Sequence, residues 1–204
     1  MYLAIDMKRD FLAAVEHRRS VYFIEGNLLT GRERVEEIVK HAVTHAPSTF
    51  NSQSARAVVL LEDAHRRLWD MVLEILRGII KADDFGPTAK KVDGFRRGAG
   101  TVMFFEDRAV VDDLMTRYPL YADKFPEFSL EASGMLQFVV WTALEDEGYG
   151  ASLQHYNPLI DDAVREEWNL PKSWQLRSQL VFGSVVEWAG EKSFTPIEQR
   201  VLVF

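Results

Sequence analysis

A chain of 204 residues, nearly half of them hydrophobic, can bury a substantial core, and its net charge of -7 argues against the continuous cationic face that nucleic-acid binding needs. The absence of cysteine removes disulfides, thiolate nucleophiles and Cys-ligated zinc together. The first ten residues lack a cationic start followed by a long apolar run, so no signal peptide is expected and the cytoplasm is the default location.

In chain order, Asp6 is placed to cap a first helix whose apolar side is Met7, Phe11, Ala14 and Val15 and which runs out at His17-Arg18-Arg19-Ser20. Two cations in a last helical turn complement the negative helix end, and alone they mean no more than that. Thr30-Gly31-Arg32-Glu33 reads as a capping box, and Val35, Ile38, Val39, Ala42, Val43 and Ala46 follow at helical spacing until Pro47. His41 and His45 are four apart but lack a third ligand, and they read as flank residues of that helix.

Pro47 to Ser54 is a loop rich in amides and hydroxyls. Asn51 and Gln53 each offer a donor and an acceptor, a match for a heteroaromatic ring with alternating N–H and C=O groups. The plainer reading is a loop whose side chains satisfy their own backbone. Ala57 to Leu61 predicts a buried strand, and Asp63 opens a helix with Leu68, Trp69, Val72, Leu76, Ile79 and Ile80 on one side. Thr88 to Arg97 is a cationic helical segment with a solvated face, Thr101 to Phe105 a second buried strand, and Val110 to Arg117 a short helix.

Beyond the aromatic loop Tyr118 to Phe128, residues 129 to 147 form a helix about 28 Å long, apolar at most positions from Leu130 to Leu144. Its few polar residues make no single solvent stripe, so this rod is expected to be buried in the fold or in a subunit interface. Flanking Glu127, Glu131, Glu145, Asp146 and Glu147 argue against a membrane span. Gly148-Tyr149-Gly150 then stops the helix and lets backbone approach a ligand; the order helix, glycines, strand is the reverse of a dinucleotide fingerprint. Ala151 to His155 predicts a strand, Leu159 to Trp168 a helix opened by Asn157-Pro158, and Trp174 to Phe182 the last long strand. The tail Thr195 to Phe204 is apolar enough to need a surface to pack on.

No nucleophile elbow or phosphate-binding loop is present, and the doublets Asp83-Asp84, Asp112-Asp113 and Asp161-Asp162 fall at predicted turns or helix starts, so neither hydrolysis nor phosphoryl transfer has a visible apparatus. No metal ligands and no catalytic acid or base stand out. Alternating strands and helices without a repeat or linker imply one three-layer α/β or α+β domain over residues 1–204, with about four or five strands.

Taken together, His17-Arg18-Arg19-Ser20-Val21, Ala46 to Gln53, the long helix into Gly148-Tyr149-Gly150 and the Arg200-bearing tail resemble the nitroreductase family of flavin enzymes over nearly the whole chain. Asn51 to Ser54 and Leu153 to Pro158 resemble the short subgroup named after a fatty-acid repression mutant. The resemblance implies an α+β fold, a three-layer α/β/α sandwich, in a homodimer with the long helix at its core and interface. It also implies FMN as cofactor, bound between the subunits, and NADH or NADPH as co-substrate. Arg18, Arg19 and Ser20 would hold the FMN phosphate with Lys192 and Arg200, where guanidinium forks suit phosphate oxygens. Ser48, Asn51 and Gln53 of the other subunit would meet the ring and ribityl chain, and Gln154, His155 and Tyr156 would run along the flavin. Arg56 adds a cation near the ring. The activity implied is hydride transfer from NAD(P)H through FMN to a nitroaromatic or quinone in two half-reactions, with partners limited to small planar acceptors and neither nucleic acid nor membrane. A flavin-binding sensor or storage protein in the same fold, and a flavin-free interaction domain, are the alternatives.

Overall fold

In the structure, a computed structural model that describes residues 9–204, the chain runs α1 (Phe11–His17), β1 (Phe23–Glu25), α2 (Arg32–His45), β2 (Ala55–Leu61), α3 (Glu62–Arg77), α4 (Phe85–Arg96) and β3 (Gly100–Asp107). It continues through α5 (Arg108–Arg117), α6 (Phe125–Asp146), β4 (Tyr149–Gln154), α7 (Asp161–Glu167) and β5 (Trp174–Glu187). Asp6, expected to cap the first helix, lies outside the described residues; Asp10 caps α1 instead, accepting from Ala13 N at 2.9 Å.

The strands form one antiparallel sheet centred on β5, which pairs with β1, β3 and β4, while β3 carries β2 on its other side. Successive residues of a strand face opposite sides, and this divides the core in two. Met103, Phe105, Leu176 and Val181 face Leu68, Trp69 and Val72 of α3, Phe95 of α4 and Val164 of α7. Val102, Phe104, Leu180 and Phe182 face Val35, Val39 and Ala42 of α2 and Leu136, Val140 and Leu144 of α6. The result is the three-layer α/β/α sandwich expected. Burying each of these large side chains contributes about 1.5 to 3 kcal/mol, so both faces are needed to offset chain entropy.

The α3 face holds a buried polar cluster. His65 is fully buried, with Nδ1 2.9 Å from the Thr101 hydroxyl, which also accepts from Trp69 Nε1 at 3.0 Å. The Thr101 hydroxyl thus ties the imidazole and the indole together beneath the sheet. Burial lowers the His65 pKa to about 4.

Several local expectations are corrected. The capping box at Thr30 does not form: Gly31 is the N-cap without a side-chain bond, and Thr30 turns to the Tyr149 hydroxyl, 3.2 Å away. Asp112 and Asp113 sit inside α5, paired with Arg108 and Arg117, rather than at its start. Gly148 does end α6 in the left-handed region, φ 92°. Gly150 is small for another reason: a Cβ there would lie 2.8 Å from both Val21 and Val185, so the close approach is to the chain itself. Strand β1 had no sequence signal, being only three residues long. The rod α6 is buried on its sheet side, but Leu130, Met135 and Val139 are exposed on its other side.

Candidate functional site

Residues 18 to 20 leave α1 and run alongside β4. Ser20 forms a parallel bridge with Ala151, and Val21 N donates to Ala151 O at 2.9 Å. The last turn of α6 fixes the two arginines. Arg19 N donates to Glu145 Oε2 at 2.7 Å, and the Arg18 guanidinium lies over the Trp141 ring, 4.5 Å from its centroid. Arg19 Nη2 reaches the carbonyl of Gly190 at 2.6 Å, which brings the start of the tail to this corner. Arg9 pairs with Asp146 at 3.2 Å and ties the chain before α1 to the same helix end.

Glu145, one of the acids flanking the rod, is buried, 1% exposed. Its other oxygen accepts from Trp141 Nε1 at 2.9 Å. Burial raises its pKa to about 7, an effect that the hydrogen bonds and the nearby Arg18 charge oppose. In sequence it is one of three acids in a row, Glu145-Asp146-Glu147, and only its position four residues after Trp141 on an otherwise apolar helix hints at its orientation.

The loop before β2 is built differently. Phe50, Asn51 and Gln53 all have left-handed backbone, φ 58°, 50° and 49°, a conformation that costs non-glycine residues about 1 kcal/mol or more each and collects at functional sites. Local bonds hold it: Asn51 N donates to Ser48 O at 2.9 Å, Gln53 N to Ser48 Oγ at 3.0 Å, and Arg56 Nη1 to Gln53 O at 2.7 Å. Arg56 is held by Asp107 at 2.9 Å and lies 5.8 Å from the centre of the Trp174 ring. Phe50 anchors the loop against Tyr118 and Phe125. The Asn51 and Gln53 side chains are left exposed. Beneath, Glu106 is buried, its pKa raised by desolvation and opposed by the facing Ser54 hydroxyl and Arg177.

Of the third predicted group, Gln154 is buried with its amide turned inward to Ser152 Oγ at 3.1 Å, and His155 is exposed rather than packed. Tyr156 N donates to Gln179 Oε1 at 2.8 Å while its ring packs edge-on against Trp69. Lys192 and Arg200 are exposed in the tail; Lys192 lies over Phe194, and Arg200 N donates to Ile197 O.

These groups do not converge within one chain. Residues 18 to 20 sit at Trp141 and Glu145 of α6, whereas Ser48 and Gln53 border a groove of about 680 Å³ with Ala132 and Leu136 on its wall. Nine residues of helix separate Leu136 from Glu145, about 14 Å. That groove lies against the α2-facing side of β2, past Ala55, Ala57 and Val59, on the outermost strand among the described residues.

The donor set suits a phosphorylated heteroaromatic cofactor: two guanidinium groups and a hydroxyl in one place, and a rigid amide-bearing loop in another. Comparison with known proteins points the same way. The model of the Nitroreductase family matches residues 15–184. The nitroreductase FRM2 of Saccharomyces cerevisiae is 35% identical over 191 residues, covering 91% of this chain and 93% of that protein. The nitroreductase CinD of Lactococcus lactis, solved with chloramphenicol, is 46% identical with a TM-score of 0.88, covering 96% of this chain and all of that one; it has also been solved with 4-nitrophenol. A nitroreductase-like structure from Exiguobacterium sibiricum in complex with FMN, 17% identical with a TM-score of 0.69, shares the fold.

Proposed function

The chain belongs to the nitroreductase family of oxidoreductases, and from that premise we propose that it is an FMN-dependent enzyme that oxidises NADH or NADPH and reduces nitroaromatic or quinone-type acceptors in two half-reactions. The observation that carries this reading is the Arg18–Arg19 pair, placed by α6 beside β4 with Ser20 next in line.

Arg18 and Arg19 neutralise the phosphate, and the Ser20 hydroxyl completes the donor set. Ser48, Asn51 and Gln53 meet the pyrimidine edge and ribityl chain, with the strained loop holding the amides ready. The segment Gln154 to Tyr156 lies along the ring. Bound there, FMN would supply two-electron redox chemistry between the nicotinamide and the acceptor. No side chain of this site is assigned a proton-transfer role. Support for nitroaromatic acceptors comes from CinD, solved with the nitrobenzene derivatives chloramphenicol and 4-nitrophenol as well as with nicotinic acid.

The site takes its phosphate half from one chain and its ring half from another. Three observations favour such a homodimer: the exposed Leu130, Met135 and Val139 on α6, the β2 edge, unpaired among the described residues, and the exposed apolar tail. In that arrangement the partner's tail fills the groove and brings Lys192 and Arg200 to the phosphate.

The visible spectrum of the purified protein, taken before and after NADH without oxygen, is the test. Flavin bands that bleach, then recover on addition of a nitroaromatic, are expected. Bands that persist with both nicotinamides would remove the catalytic reading and leave a flavin-binding protein. A chain that stays colourless in excess FMN would end the proposal.

A further inference from the structure

Three consecutive acids end α6, and they are used differently. Asp146 pairs with Arg9 and Glu147 with Arg34, both near the surface. Glu145 is turned inward, and its two oxygens take two N–H donors, the Arg19 backbone at 2.7 Å and the Trp141 indole at 2.9 Å. Burying a carboxyl costs several kcal/mol, which the two N–H donors offset in part. What the two bonds hold in place shows what the group is for.

The first bond fixes the backbone between Arg18 and Arg19, and so the direction in which both side chains leave the chain. The second fixes the indole plane that carries the Arg18 guanidinium at 4.5 Å. Arg19 is then braced from its far end by Gly190 O. We propose that Glu145 is the positioning residue of the phosphate cradle, holding Arg18 and Arg19 pre-organised for a phosphomonoester without touching it. This rests on the assignment of those arginines to the FMN phosphate. Pre-organisation lowers the ordering cost paid on binding, so its loss appears as weaker phosphate recognition and not as a general loss of ligand affinity.

The test compares FMN with riboflavin, which has the same ring and ribityl chain but no phosphate, on the full-length apoprotein by quenching of flavin fluorescence. The variants are Glu145→Leu, Glu145→Gln and Arg19→Ala, each checked for folding by circular dichroism. Glu145→Leu removes both acceptors and is expected to weaken FMN about tenfold or more while riboflavin stays within about twofold. Glu145→Gln keeps one acceptor and should fall between. Arg19→Ala combined with Glu145→Leu should lose little more than the larger single effect, because both act on the same contact.

If Arg19→Ala lowers the preference for FMN over riboflavin and both Glu145 variants keep the wild-type preference, the positioning role is overturned while the phosphate assignment stands. Equal loss of both ligands in the Glu145 variants marks a purely structural residue and overturns it too. If Arg19→Ala leaves the preference unchanged, the phosphate assignment falls and takes this inference with it. Should Glu145→Leu not fold, Glu145→Gln decides; if neither folds, Glu145 is a folding residue and the proposal is wrong.

Discussion

The segment from Arg18 to Ser20 and the loop from Ser48 to Gln53 both present polar side chains, yet they are held by opposite means. The first is an extended stretch with ordinary backbone, positioned from more than a hundred residues away by Glu145 and Trp141 and braced by Gly190. The second stores strain in three left-handed residues and is closed by bonds within a few residues, Ser48 to Gln53 and Gln53 to Arg56. The difference lies in what disturbs each. The arginine segment answers to the packing of α6, to the tail and to the charge on a buried carboxyl, whereas the loop answers mainly to its own sequence.

The largest test of that contrast removes the tail. Deleting residues 195–204 should convert the proposed homodimer to monomers and cut FMN affinity about tenfold or more, since the Arg200 contact and the meeting of the two halves are lost together. Light scattering beside flavin titration would show it; a truncated chain that stays dimeric and binds FMN normally would mean that the site is complete without the tail.

Next comes pH. Glu145 has its pKa raised in the fold to about 7, so the folded state holds a proton the unfolded chain has released, and the stability this gives is full below about 4.5 and lost as pH rises through 7. His65 is the reverse: with a folded pKa of about 4 against an ordinary 6.5, its contribution is full above 6.5 and lost as pH falls through 4. Each shift is worth on the order of 3 kcal/mol, and between pH 4.5 and 6.5 the two slopes cancel. Glu145→Gln should expose the loss on acidification, and His65→Gln the loss on raising the pH. Urea midpoints of wild type and both variants at pH 5, 6 and 7 would decide; parallel profiles for all three would refute the assignment.

Arg19→Ala should weaken FMN by about 1.5 to 3 kcal/mol without lowering the unfolding free energy by more than about 0.5 kcal/mol. Unchanged affinity would reassign the phosphate. The smallest effect belongs to the loop. Gln53→Gly relieves a left-handed side chain and should raise stability by about 0.5 to 1 kcal/mol while weakening flavin binding several-fold. A variant that gained stability and bound flavin as well as before would show that the Gln53 amide has no part in recognition.

Much of this molecule is legible in the chain as written. The alternation of Val102 to Phe105 and the helical spacing in 35–46 and 68–76 follow from which side chains avoid water, and they suffice for the three layers. The amides at 51 and 53 and the donors of Arg18-Arg19-Ser20 are visible as residue types, but their grouping into a proposed flavin site came from the resemblance to a family and not from the residues alone. What a residue touches is not visible in its type. Glu145 reads only as one acid among several flanking the rod, since nothing nearby in sequence shows that Arg19 and Trp141 enclose it, and Thr30 reads as a cap since its actual partner, Tyr149, is far along the chain. Gly150 read as an approach for a ligand, while the space it vacates belongs to Val21 and Val185.

By itself, then, the sequence determined the layers, the long helix and the kinds of donor available, all consequences of local periodicity and side-chain chemistry. Only the tertiary structure decided that the two donor groups meet different stretches of α6, that one acid of three is buried, and that β2 is the outermost strand among the described residues. Those depend on where distant segments meet, and free energies of burial and pairing are set there, not along the chain.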